Sequence, residues 1–328
     1  MDTRYGAPSE AVALLAAGEA VAVPTETVYG LAADATRPDA VLKIFEAKER
    51  PFFDPLITHL PDIGWLDRVT RDRDPLVARL TEKFWPGPLT LVLPRREIIP
   101  DVVTSGLGTV AVRMSSNPVF REILLGFGKP LAAPSANRFG RISPTTAQHV
   151  MSELGGRIPL IVDGGPTSFG VESTIVLIEN ARINILRSGP VTVEDLAEFG
   201  EAVLEKGQGA PNAPGQLQSH YAPRTRLVLR TPGLRMRFCQ TDRIGYLAWS
   251  HAPLWREPRL SAVEILSPTG NLREAAATLF AKMRRLDDAG LDLIIAEKVP
   301  ETGLGVAIMD RLRKAAAKGM TNDETPRE

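Results

Sequence analysis

The sequence predicts an α/β protein, with an open, twisted, mixed sheet and flanking helices over its first two hundred residues and a smaller α/β domain after them. Three observations lead there. Segments with helical spacing alternate with short apolar runs from about residue 8 to residue 200. A stretch rich in Gly, Pro, Asn and Gln, KGQGAPNAPGQLQSHYAPR, then breaks the pattern, and beyond it the alternation resumes on a smaller scale.

The elements follow in chain order. AVALLAAG (11–18) has helical spacing, and AVAV (20–23) is a short apolar strand running into PTETVYGL. PDAVLKIFEAKE (38–49) opens with a proline and an acid and places Val41, Leu42, Ile44 and Phe45 on one face, as a helix does. LITHL (56–60) reads as a strand. Next come helix 74–85, strands 89–94 and 109–113, helix 117–127, strand 130–134 and helix 143–154. Strands 160–165, 173–178 and 183–189 and helix 192–199 complete the first part. The patterning implies a catalytic-sized domain at 1–204, a linker at 205–224 and a second domain at 225–328. That last part reads as strands RLVLR, RIGYLAW and VEILSP, helix NLREAAATLFAKMRRLDDAG, strand LDLIIAE and helix AIMDRLRKAAAK, a compact three-layer α/β arrangement with a frayed tail, TNDETPRE.

Composition narrows the function classes. Lys plus Arg equal Asp plus Glu at 39 each, so there is no global basic field of the kind that marks a nucleic-acid-binding domain. A single cysteine, Cys239, cannot close an intramolecular disulfide, and no Cys/His spacing suggests zinc. The amino terminus, MDTRYGAPSE, lacks the features of a signal peptide, and no apolar run approaches membrane-span length. A soluble, cytoplasmic protein without membrane contact is the expectation.

No phosphate-binding G-x-x-x-x-G-K-[ST] loop, G-x-S-x-G elbow, H-E-x-x-H or kinase signature is present, and Gly303 and Gly305 form a lone G-x-G that shapes a turn. What stands out is a set of strand ends running into small polar clusters. They are Pro24-Thr25-Glu26-Thr27, Arg113, Ser135-Ala136-Asn137 and Arg187-Ser188-Gly189-Pro190. Ligands of α/β sheets bind beyond strand ends, and hydroxyls, an amide and two guanidiniums converging there suit phosphate or carboxylate oxygens. Taken singly, each has a plain structural explanation. Ser143 caps a helix, Arg113 is a surface ion pair, His59 is a satisfied histidine on a half-buried strand, and Phe52 and Phe53 are core. The cationic KERPFFDPL stretch (48–56), stiffened by Pro51 and Pro55, asks for an anion and leaves open why Asp54 lies in its midst.

Read together, PTETVYGL (24–31), AKERPFFDPLITH (47–59), WPGPLTLVL (85–93), VAVRM (110–114), APSANRFGRISPTT (133–146), VESTIV (171–176) and ILRSGP (185–190) resemble the Sua5/YrdC/YwlC family. APGQLQSHYAPR (213–224) and GLGVAIMDRLRKAA (303–316) are similar to the linker and closing segment of its longer, two-domain Sua5 type. The resemblance implies a YrdC-type α/β domain around a positively lined cavity, plus a smaller Rossmann-like Sua5 domain. The activity it implies is a nucleotidyltransferase that condenses L-threonine, bicarbonate or CO2 and ATP, with Mg2+, to threonylcarbamoyl-AMP and pyrophosphate. A separate Kae1/TsaD-type transferase would then use the product for the t6A modification of tRNA.

Carried over by position, Thr27, His59, Arg113, Ala133 and Ser173 match family positions that contact L-threonine. Arg50, Asp54, Thr109, Ser135, Ser143, Arg187 and Tyr221 match positions that contact ATP or the adenylate. Lys48 and Asn137 belong to the family's KxR and SxN signatures and are expected near the phosphates; with Arg50 and Ser135 they form the expected catalytic set, and the metal ligands stay open. In this picture Phe52 and Phe53 pack the loop down, and the linker carrying Tyr221 is a lid. Three positions depart from the family: Asp54 for Asn, Ser219 for a basic residue before HYAP, and Asp310 for Asn. Two alternatives are a carbamoyl-adenylate-forming enzyme of the HypF or TobZ type and an RNA-binding module with weak tRNA contact. The first lacks support in Cys pairs or an HxxxH, the second in any RNP, KH or OB pattern.

Overall fold

The structure, a computed structural model, describes residues 1–72, 74–205, 220–230, 241–252 and 260–317. Most of the linker, with Ser219, and also Cys239 and the tail from 318 onward lie outside the described residues.

The first part contains β1 (Arg4–Gly6), α1 (Pro8–Ala16), β2 (Val21–Val23), β3 (Gly30–Asp34), α2 (Pro38–Lys48), β4 (Ile57–His59), α3 (Leu66–Val69), α4 (Pro75–Phe84), β5 (Leu89–Pro94) and α5 (Asp101–Thr104). It continues with β6 (Thr109–Arg113), α6 (Pro118–Phe127), β7 (Leu131–Ala132), α7 (Ala147–Leu154), β8 (Leu160–Val162), β9 (Thr174–Glu179), β10 (Arg182–Arg187), α8 (Val193–Ala197) and β11 (Glu201–Leu204). The second part contains β12 (Arg226–Leu229), β13 (Ile244–Ala248), β14 (Leu260–Ile265), α9 (Leu272–Asp288), β15 (Leu293–Ala296) and α10 (Leu304–Ala317). Helix starts obey local chemistry. Asn117 accepts the backbone N–H groups of Val119 and Phe120 ahead of α6, and Thr146 accepts that of His149 ahead of α7.

Two compact units result: Met1–Phe139 with Ser143–Gln216, and Gly140–Ile142 with Leu217–Glu328. In the first, eleven strands form one mixed sheet in the order β1-β8-β2-β3-β7-β4-β6-β5-β9-β10-β11. Strand alternation divides its side chains between two faces. On one face Val110 and Val112 of β6, Leu91 and Leu93 of β5, Val176 of β9 and Ile183 and Ile185 of β10 join the main core with residues of α2, α4, α5, α7 and α8. On the other face, α1 and α6 cover the β8-β2-β3-β7 half through Ala11, Leu15, Phe120, Ile123 and Leu124. The remaining half of that face carries a small cluster, Ile57, Val92, Ala111, Ile175 and Leu186, to which no helix contributes.

The second unit has a four-stranded, all-parallel sheet in the order β12-β15-β13-β14, the open parallel arrangement of a Rossmann-like domain. Gly305 lets α10 start against the chain before it, since a Cβ there would lie 1.7 Å from the Pro300 carbonyl oxygen. Gly303, with φ +50°, makes the preceding turn.

Several boundaries differ from the sequence expectation. GLAAD forms β3, although its glycine and alanines have weak strand preference; antiparallel partners on both sides, β2 and β7, supply the drive. The strand expected at 130–134 is only two residues long, because the chain leaves the ladder at Ala133 to begin the SxN turn. Helix 143–154 starts at Ala147, with Thr146 rather than Ser143 as its cap, and β1 and β11 lie where no strand was expected.

Candidate active site

Several of the expected site residues lie on the half of the sheet face that carries the small cluster around Ala111. Arg113 shares strand parity with Ala111 and Thr109, and His59 with Ile57, so all point to the same side. His59 pairs with Arg113 across β4 and β6, which puts both at one end of the face, and Ser173 stands at the same end, just before β9, whose Thr174 pairs with Leu89 of β5. Thr109 is at the other end of β6, four residues and roughly 13 Å away at the rise of an extended strand. Ser135 bridges Gly30 on that second side, while Ala133, which donates to Ile57 opposite Ala111, lies midway between the two ends.

At the first end Arg113 is buried and held by three neighbours. Its Nη2 lies 2.7 Å from Glu26 Oε1, its Nη1 donates to Thr27 Oγ1 at 3.0 Å, and its Nε donates to the Gly87 carbonyl at 3.1 Å. Burial alone would raise the Glu26 carboxyl, but Arg113 and the Ser115 hydroxyl outweigh it and bring it down to about 2. Arg113 is thus no surface ion pair. His59 is buried against Phe120, with ring centroids 5.0 Å apart, and its Nδ1 has no hydrogen-bond partner among the described residues. Burial, with Arg113 beside it, lowers the imidazole to about 3, so it is neutral and unsatisfied rather than satisfied. Ser173 Oγ lies 2.8 Å from Thr90 Oγ1 and accepts from Arg187 Nη2 at 3.0 Å, while Arg187 Nε donates to the Ser173 carbonyl. The Ser143 hydroxyl donates to Glu172 rather than capping a helix.

At the second end Lys48 terminates α2, with Glu49 in the left-handed region at φ 54°. Its buried ammonium donates to the carbonyls of Ser135 and Asn137, and its own carbonyl accepts from Phe139 N–H. Burial and the nearby Arg50 lower the lysine well below its ordinary value. Lys48 therefore shapes the Ser135–Asn137 turn from behind. The KERPFFDPL loop inverts the expected polarity: Asp54 is 0% exposed, whereas Phe52 and Phe53 are 61% and 55% exposed. The reason lies in Arg50. Its Nη2 is 2.9 Å from Asp54 Oδ2 and donates to the Pro55 carbonyl, and its Nε donates to the Asp54 carbonyl, so the loop wraps around the guanidinium and turns its rings outward. Phe52 keeps one contact, stacked on Phe45 at 4.9 Å. Burial raises the Asp54 carboxyl despite the opposing pull of Arg50, Lys48 and Arg187.

Tyr221 belongs to the second unit, buried, with its ring 5.7 Å from that of Phe280, 4.1 Å from that of His220 and under the Arg311 guanidinium at 5.2 Å. Sequence reasoning passed over Glu26, Thr90, Ser115 and Glu172 as individual site residues. The only signal was that Glu26 and Glu172 lie inside the PTET and VEST runs. No group of three or more His, Cys, Asp or Glu side chains able to hold a metal ion occurs among the described residues, and no helix there is long and apolar enough to cross a membrane.

Buried polar side chains at strand ends, beside the KERPFFDPL loop and the Ser135–Asn137 turn, define the site of an open-sheet α/β enzyme. Residues 13–189 match the family described as Telomere recombination, which groups Sua5, YciO and YrdC proteins, and residues 191–317 match the Threonylcarbamoyl-AMP synthase C-terminal domain. The chain belongs to the Sua5/YciO/YrdC family. It is 41% identical to the threonylcarbamoyl-AMP synthase of Bacillus subtilis, over 94% of this chain and 92% of that one. It is 40% identical to the threonylcarbamoyl-AMP synthase of Pyrococcus abyssi, over 91% of each. The crystal structure of P. abyssi Sua5 complexed with L-threonine superposes with a TM-score of 0.85 at 35% identity, covering 97% of both chains.

Proposed function

We propose that this chain is an L-threonylcarbamoyladenylate synthase, which joins L-threonine, bicarbonate or CO2 and ATP into threonylcarbamoyl-AMP with release of pyrophosphate, and of water when bicarbonate is the carbon source. The observation that carries it is the two-ended sheet face, shared in fold with relatives named for this activity and with one solved with L-threonine.

The chemistry suits these residues. Threonine's amine takes up CO2 to give a carbamate, and a carbamate oxygen attacks the α-phosphorus of ATP while pyrophosphate leaves. Both partners are anions, so the site must offset repulsion and hold them in line. Arg113, fixed by Glu26 and Gly87, presents a guanidinium suited to the threonine carboxylate, and Thr27, Ala133, Ser173 and the neutral His59 frame its other atoms. Arg50, Arg187, Ser135, Asn137, Ser143 and Thr109 serve the nucleotide, and Lys48 holds the turn that carries two of them. Beyond the Arg50 ion pair, Asp54 Oδ1 and Oδ2 accept no hydrogen bond among the described residues, which fits a carboxylate with room for a cation brought by the nucleotide. Mg2+ bound to the triphosphate would neutralise phosphate charge during the displacement. The 205–224 linker acts as a lid that excludes water from the hydrolysable intermediates. The product passes to a Kae1/TsaD-type transferase acting on tRNA.

Pyrophosphate release is expected to need threonine, bicarbonate and ATP together and to yield a product with the mass of threonylcarbamoyl-AMP. Release with carbamoyl phosphate in place of threonine and bicarbonate would instead identify a carbamoyl-adenylate former.

A further inference from the structure

At the carboxyl edge of the second unit's parallel sheet there is a cavity of about 450 Å³ lined by Arg230, Trp249, Ser250, His251, Glu297 and Lys298. Each of these residues lies just beyond the end of a strand: Arg230 after β12, Trp249 to His251 after β13, Glu297 and Lys298 after β15. From β13 the chain goes to β14 on one side, whereas from β15 it enters α10, which packs against β12 on the other. Adjacent parallel strands whose connections part in this way leave a crevice, the position at which open α/β sheets bind ligands. The volume is within the range of small-molecule sites.

The side chains indicate what it would take. Both oxygens of Glu297 serve the scaffold. Oε1 lies 3.2 Å from Arg230 Nη1, and Oε2 accepts the Trp249 backbone N–H at 2.7 Å. Arg230 Nη1 also donates to the Tyr246 hydroxyl at 3.3 Å, so the guanidinium is oriented from two sides. With Arg230 set against Glu297, Lys298 is left as the surplus positive charge of the lining, before His251 is counted. Ser250 Oγ and His251 Nδ1 lie 2.8 Å apart, and Trp249 is half-buried beside them. Two cations, a hydroxyl–imidazole pair and an indole around one concavity match a phosphate next to a planar ring.

We propose that this cavity binds a phosphate ester of mononucleotide size, with Arg230 and Lys298 taking the phosphate and Trp249 stacking on the ring. Its lining comes from the second unit alone and includes none of the residues assigned to the threonylcarbamoyladenylate chemistry. A local concavity of this size, with two cations rather than an extended basic stripe, favours a small molecule over an RNA strand.

The test is hydrogen–deuterium exchange on the full chain with adenosine 5′-monophosphate, inorganic phosphate and tRNA as separate probes. The nucleotide is expected to protect peptides containing Trp249–Ala252 and Glu297–Lys298, and phosphate to compete. Lys298→Glu is expected to raise the half-saturating concentration at these peptides about tenfold, the scale of one lost charge-assisted contact, with unchanged melting temperature and pyrophosphate release. Trp249→Phe keeps a stacking ring and is expected to retain binding, whereas Trp249→Ala weakens the nucleotide but not phosphate. Protection confined to the first unit, protection indifferent to Lys298→Glu, or protection by tRNA alone would overturn the proposal.

Discussion

Arg113 and Glu26 show how a residue's role depends on where its partner lies. As letters in a sequence, an arginine closing a strand and a glutamate in PTET carry no sign that they meet; 87 positions apart, they form a buried pair 2.7 Å long. That pairing sets a pH dependence. Because the Glu26 carboxyl is brought from 4.5 to about 2, its contribution is complete above about pH 4.5 and is lost as the pH falls towards 2. His59 acts in the same direction over a higher window. Its imidazole is lowered from 6.5 to about 3, so below pH 6.5 the unfolded chain takes up a proton that the fold refuses. Stability measured by denaturant melts is therefore expected to fall from pH 6.5 downward, and Glu26→Gln to flatten the part below pH 4.5 while costing about 3–5 kcal/mol at neutral pH, since it leaves Arg113 buried without its counter-ion. An unchanged slope in that variant would mean that another group carries the acid loss. Asp54 teaches the same lesson in reverse. The aromatic pair beside it reads as core, yet the need to satisfy Arg50 turns the acid in and the rings out.

At the scale of elements, strands such as 89–94 and 109–113 were legible because their β-branched and leucine runs satisfy two apolar neighbours at once. β3 was not, because alanine and glycine declare no preference until β2 and β7 flank them. The candidate site's residue types were legible through motif resemblance, but its two-ended layout was not, since register belongs to strand pairing and not to any one segment. The end of β10 illustrates how tightly elements constrain the site. An irregularity between Ile185 and Arg187 brings Arg187 opposite Ile175, and Gly189 then passes so close that a Cβ would lie 2.4 Å from Thr174 N and 2.5 Å from the Glu172 carbonyl oxygen. These are backbone atoms and cannot move aside. Gly189→Ala is expected to cost about 1–3 kcal/mol in thermal melts and to lower kcat/KM for pyrophosphate release by displacing Ser173 and Arg187. Wild-type values for both would show that the strand ends can separate at little cost.

On the scale of the whole molecule, the chain divides into units that are not consecutive in sequence, since Gly140–Ile142 group with residues beyond 217. The composition shift near 206–224 pointed to a division there, but nothing in the letters around Gly140 marks its membership in the second unit. Ending the chain after residue 205 is expected to lower both nucleotide affinity and product yield if the linker is the proposed lid; equal yield from the shortened chain would refute that role. The sheet itself offers a last consequence. Thr109, Ala111 and Arg113 share a face by strand alternation, and that face is the one holding Ile57 and Val92 only in the register in which Ala111 meets them both. A slip of one residue would thrust a guanidinium into the apolar layer that holds Val110 and Val112 and would remove both substrate ends together. Such a chain could not persist as a folded but indiscriminate enzyme, so folding acts as the site's own proofreader.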